Sequence, residues 1–93
     1  MVIGLLTLEL AVYESFSLKD KRRVVKSVKE RIKNRFNVSI AEVGLLELHN
    51  RAELAAAMVG SDAGYVEGGL QQVLNFVGAD GRCSIESSRI ELL

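Results

Sequence analysis

The chain has 93 residues, no net charge at neutral pH, 48% apolar side chains and a mean hydropathy of +0.18. That size suits one domain with one core, and no apolar run approaches the roughly 18 residues that cross a bilayer. With no Trp and five aromatic residues in all, the core must be built from Leu, Val, Ile and Ala. One Cys excludes an internal disulfide, and Cys83 and His49 match no zinc spacing, so a metal-free, cofactor-free protein of the reducing cytosol is expected.

Residues 2–13 alternate, with Val2, Leu6, Leu8, Leu10 and Val12 on one face and Thr7 and Glu9 on the other. Period two predicts a strand with one core face, and Glu9 together with the lack of a preceding basic region argues against a signal peptide. Ser17 then opens a helix, with Asp20 three residues on as in a short capping box. Leu18, Val25, Val28, Ile32 and Phe36 recur at helical spacing with Val24 beside them, which gives this helix a core face.

Val38, Ile40 and Val43 mark a second strand, and Ala52 to Val59 a third, joined across a loop near Leu48, His49 and Asn50. Ser61 or Asp62 caps a second helix whose core face is Ala63, Val66, Leu70, Val73, Leu74 and Val77. Gly64, Gly68 and Gly69 within it are expected to allow close packing, at a cost of around 1 kcal/mol of helix stability each. The run Gly78-Ala79-Asp80-Gly81 ends that helix, a glycine there supplying a positive φ, and Cys83 to Leu92 forms the last strand. Cys83 reads as a strand core residue, His49 as an exposed loop residue, and Tyr13, Tyr65 and Phe76 as core or rim packing.

The order β-α-β-β-α-β with right-handed crossovers predicts an α+β, ferredoxin-like split sandwich over residues 1–93: an antiparallel four-stranded sheet with two helices on one face. The other sheet face is left uncovered, and Ile3, Leu5 and Thr7 on it favour a homo-oligomer.

The most informative stretch is SLKDKRRVVKSVKERIKNRF, residues 17–36, which holds nine of the twelve basic residues. Nine basic against two acidic residues give it +7, so the rest of the chain carries −7. At about 100° per residue, Lys19, Arg22, Arg23, Lys26, Lys29 and Lys33 fall in one stripe beside the apolar one. Lys19–Arg23, Arg22–Lys26 and Lys29–Lys33 are like-charge i,i+4 pairs, each costing roughly 0.2–0.5 kcal/mol. A stripe that weakens its own helix points to an anionic partner, and a phosphate backbone is the commonest one. No aromatic accompanies the stripe or lies in GLLTLELAV and AELAAAMVG, so sheet-face base stacking is not expected. No catalytic residue, metal site or phosphate loop emerges, since GYVEGGL lies inside a helix and lacks the Lys-Ser/Thr of that motif.

SLKDKRRVVKSVKERIKNRFNVSIAEV, with VIGLLTLEL, NRAELAAAMV and VLNFV, resembles the YlxP-like family of small bacterial cytosolic proteins over essentially the whole chain. The matching residues are Ser17, Leu18, Lys19, Lys21, Arg22 and Arg23, then Arg51-Ala52, whereas His49 stands where many members have an aromatic. The resemblance implies a ferredoxin-like fold, no established enzymatic role, and a gene neighbourhood of translation initiation and ribosome maturation. The leading expectation is a non-enzymatic accessory protein bound to RNA or the ribosome through its first helix. The alternative is a homo-oligomeric module whose basic helix meets acidic protein surfaces, and a small-ligand binder or enzyme ranks third.

Overall fold

The computed structural model describes residues 1–93 and has six elements: β1 (Val2–Val12), α1 (Leu18–Arg35), β2 (Ser39–Gly44), β3 (Arg51–Gly60), α2 (Ala63–Gly78) and β4 (Cys83–Leu92). The strands form one antiparallel sheet in the order β2-β3-β1-β4, which is the split β-α-β-β-α-β arrangement expected. No helix is long and apolar enough to cross a membrane.

Alternation places Leu6, Leu8, Leu10 and Val12 of β1 and Ala52, Leu54, Ala56 and Met58 of β3 on the helix side of the sheet. Val25, Val28 and Ile32 of α1 and Val66, Leu70, Val73 and Val77 of α2 close over them. Gly4 is the point of closest approach between β1 and α2, where a Cβ would meet Val66 Cγ1 at 2.5 Å. Cys83 is buried in this core, and that burial pushes its thiol above the ordinary range, so it is a packing residue and not a ready nucleophile.

Both helix starts follow the expected chemistry. Ser17 Oγ accepts from the Asp20 amide at 3.1 Å, while Asp20 reaches back to the Phe16 amide, one residue before the cap. Of the two candidates for α2, Asp62 is the cap, accepting from the Tyr65 amide at 2.9 Å.

Four local expectations are corrected. Ala63 is exposed, because it occupies the first helical position before α2 meets the sheet. No glycine has positive φ; α2 instead ends at Ala79 in right-handed geometry, and Asp80 secures the turn. Tyr13 and Tyr65 are exposed, while Phe76 packs edge-on against Phe36 with centroids 5.6 Å apart. The adjacent glycines of α2 also differ. At Gly69 a Cβ would meet Met58 Sδ at 2.7 Å, but at Gly68 it would meet nothing within 4 Å, so only Gly69 serves close packing. Gly68→Ala is therefore expected to stabilise the fold by about 1 kcal/mol, and Gly69→Ala to destabilise it, in urea titrations. Equal effects at the two positions would refute this packing distinction.

Asp80 ties the end of α2 to α1. Its carboxylate accepts from Arg82 Nη2 at 2.7 Å, Nε at 3.0 Å and the Arg82 amide at 2.9 Å, with Arg31 Nη1 at 3.4 Å. Arg82 also donates to Ser27 Oγ on α1 at 3.1 Å. The hydrogen bonds from the Arg82 side chain, working against desolvation, hold the Asp80 carboxyl at about 2, below its ordinary 3.8. A depressed folded-state pKa means that the stabilisation is complete above about pH 4 and fades as pH falls toward 2. Asp80→Asn is accordingly expected to cost about 1–2 kcal/mol at pH 6, with the difference from wild type closing by pH 2 in thermal melts.

A candidate anion-binding groove along the first helix

Helix α1 carries nine basic side chains, and the fold sorts them into two groups. Three are engaged internally. Arg31 meets Asp80 and stacks over the Phe76 ring at 5.3 Å. Arg35 lies over the rings of Phe76 and Phe36 at 5.1 and 5.9 Å. Lys21 is the third, and it is wholly buried.

The other six are Lys19, Arg22, Arg23, Lys26, Lys29 and Lys33, the residues of the predicted stripe. None has a carboxylate within 4 Å. All but Lys29, which is half-buried, are exposed. Arg22, Lys26, Lys29 and Lys33 come together with Val25, Glu30 and Glu42 along a groove of about 400 Å³ between α1 and the edge strand β2. Lys19 and Arg23 are exposed on α1 but do not line this groove. From Arg22 to Lys33 the four cations run along about 16 Å of helix axis. They form a line of positive charge and not a compact pocket.

Two carboxylates share the groove, and they differ in consequence. Glu42 is already neutralised, because its Oε2 lies 2.9 Å from Lys21 Nζ. Glu30 makes no ion pair, so the groove has four cations against one free carboxylate.

The buried Lys21 is what sequence reasoning missed. Its ammonium donates to the carbonyls of Leu45 and Leu46, at 3.0 and 3.3 Å, as well as facing Glu42. Two ammonium protons are thus hydrogen-bonded to carbonyls, and the charge is balanced by the adjacent Glu42 carboxylate, as a fully buried lysine requires. Leu45 has φ 57°, an uncommon conformation for leucine, and the lysine's hold on its carbonyl anchors that turn. The helical wheel contained a signal: Lys21 falls in the middle of the stripe formed by Val25, Val28 and Ile32. Across the sheet, Arg51 pairs with Glu9 at 2.6 Å, and His49 lies in the exposed loop, its carbonyl accepting from Ser15 Oγ.

Residues 3–90 match the family model described as a protein of unknown function, DUF503. The chain belongs to the DUF503 family. It is also similar to the uncharacterized protein YlxP of Bacillus subtilis (strain 168), with 40% identity over 76 residues, covering 82% of this chain and 83% of the relative. The DUF503 match contains both elements that line the groove, α1 and β2.

Proposed function

We propose that this DUF503 protein is a non-enzymatic accessory factor of the cytoplasm that docks on RNA, with ribosomal RNA as the target class, through the α1 groove. The observation that carries this reading is the set of six cations without an internal carboxylate, four of them in one groove. A folded chain gains nothing from like charges at i,i+4, so the arrangement calls for an external anion. A line of charge about 16 Å long matches a regularly charged polymer better than a single small anion. The YlxP-like resemblance, with its neighbourhood of translation and ribosome-maturation genes, directs the reading to the ribosome. Arg22, Lys26, Lys29 and Lys33 contact phosphates, with Lys19 and Arg23 adding to the field. Recognition follows backbone charge and shape, because the stripe lacks an aromatic on which a base could stack.

The test is co-sedimentation with ribosomal subunits in low salt, with and without prior nuclease treatment. Binding that disappears after nuclease is the expected result. Binding that survives complete RNA digestion would overturn the reading in favour of an acidic protein surface, and absence of binding at low salt would overturn it outright.

A further inference from the structure

The sheet has two faces, and the helices cover only one. On the open face the cross-strand rows are Ile3 beside Val59, then Leu5 beside Ala57, then Thr7 beside Ala55. The edge strands add Ser39 and Ala41 from β2, and Arg89 and Glu91 from β4. The middle of this face is thus apolar and uneven in a regular way. β1 contributes the large side chains Ile3 and Leu5, and β3 contributes the small Ala55 and Ala57. The charged groups lie at the margins and are mostly paired already, Glu9 with Arg51 at 2.6 Å and Arg89 with Glu91 at 3.3 Å.

We infer that this face is a dimer interface, and that the occupant is a second copy of the same chain. Size complementarity carries the inference and selects the symmetry. A twofold axis lying between the faces and parallel to the strands lays β1 of one copy over β3 of the other, in the same row. Leu5 then sits over the partner subunit's Ala57, Thr7 over the partner subunit's Ala55, and Ile3 over the partner subunit's Val59. Leu5 and Thr7 thus meet alanines of the opposite copy, and the twofold makes each of these contacts twice, as an isologous interface requires. The same operation lays β4 over β2, so the aliphatic stem of Arg89 covers the partner subunit's Ala41. A twofold across the strands and centred on Thr7 would instead set Leu5 on the partner subunit's Glu9, which strands a charge on an apolar surface.

Charge acts against association at one end of this face. Glu53 lies directly opposite Glu9 on the same face and has no cation within 4 Å in its own chain. In the parallel-axis dimer the partner subunit's Glu53 comes directly over Glu9, so that end of the face sets four carboxylates against two Arg51 guanidiniums, a like-charge cost that the apolar rows must exceed. The area is adequate but small. Strands about 4.8 Å apart, three of them ten or eleven residues long and β2 six, at roughly 3.3 Å per residue make a face of roughly 600 Å². Two such faces give roughly 1,200 Å², the lower limit for a specific interface and the size class of weak, transient contacts. Aligned sheet packing also keeps both copies' α1 grooves on the outer surfaces, where the interface leaves them open.

Sedimentation velocity over a concentration series tests this directly. The wild type is expected to pass from the mass of one 10.2 kDa chain to twice that mass between about 1 and 100 µM. Leu5→Glu and, separately, Ala57→Arg should leave a monomer across the whole range, with circular dichroism of the folded protein retained because both positions lie on the open face. Phe16→Ser, which changes an exposed apolar residue in the loop before α1, should leave the dimer unchanged. A wild type that stays monomeric at 100 µM overturns the inference. So does a dimer that persists in both the Leu5→Glu and Ala57→Arg variants while they remain folded.

Discussion

Replacing Lys21 with methionine is expected to destabilise the fold by about 3–5 kcal/mol, read as a lower urea midpoint at unchanged slope. Methionine keeps most of the unbranched stem, so the loss is electrostatic and not a cavity. What remains behind is the trouble: the Glu42 carboxylate and two backbone carbonyls, at Leu45 and Leu46, all deprived of the group that satisfied them. Glu42 Oε2 is buried and accepts no hydrogen bond, so the Lys21 ammonium 2.9 Å away is its sole compensation inside the protein. A chain of this length is stable by only about 5–14 kcal/mol, so a large share of the total is at stake. The melting temperature should fall by roughly 4–8 °C for each kcal/mol lost. The double variant Lys21→Met, Glu42→Leu removes the stranded charge and should recover part of the loss, leaving the carbonyls as the residue. Lys19→Met is the surface comparison and should change stability by less than about 0.5 kcal/mol. If Lys21→Met behaved like Lys19→Met, the buried ion pair would not be a structural element at all.

The second large effect concerns binding and leaves stability nearly untouched. Neutralising Arg22, Lys26 and Lys29 together to Gln should lower affinity for single-stranded RNA roughly 100-fold or more at 50 mM salt. Four phosphate contacts predict a log–log salt slope of about −2.8 for the wild type, and the triple variant should retain about −0.7. Unfolding should be unchanged or slightly harder, because the like-charge pair Arg22–Lys26 and the pair Lys29–Lys33 are relieved. Arg31→Gln and Arg35→Gln supply the control within the same helix. Both side chains face α2 and its Phe76, so their loss should leave the salt slope where it was. A slope that fell equally for both sets would mean that net charge alone attracts RNA and that the groove has no part in it.

The two predictions touch at Glu42. That residue lies in the groove and would repel phosphate if its charge were free, yet Lys21 holds it from beneath. The buried lysine thus contributes to the groove's positive field without facing the solvent. Lys21→Met should therefore also weaken RNA binding, measured on the folded fraction, although Lys21 touches no phosphate.

Much of this was legible in the residues alone, for a definite reason. Strand alternation and helical periodicity are local properties, so Val2–Val12, the core stripe of α1 and the order β-α-β-β-α-β could be read without knowing what packs against what. The exposed stripe was legible on the same basis, since a wheel separates Arg22, Lys26, Lys29 and Lys33 from Val25, Val28 and Ile32. The uncovered sheet face followed from having two helices and four strands.

Other properties depend on which residue arrives from a distant part of the chain. Lys21 and Lys26 are the same residue type on one helix, and only the arrival of Glu42 and the turn at Leu45 makes one a buried anchor and the other a free cation. Arg31 is removed from the basic surface by Asp80, 49 positions on. Gly68 and Gly69 are neighbours in sequence, yet Met58 of β3 lies under one and nothing lies under the other. Periodicity determines which side of an element turns inward, whereas long-range packing determines what each inward or outward side chain meets. For this protein the first established the fold and the charged stripe. The second decided that six of the nine cations on α1 remain without a carboxylate, and that four of those six line one groove.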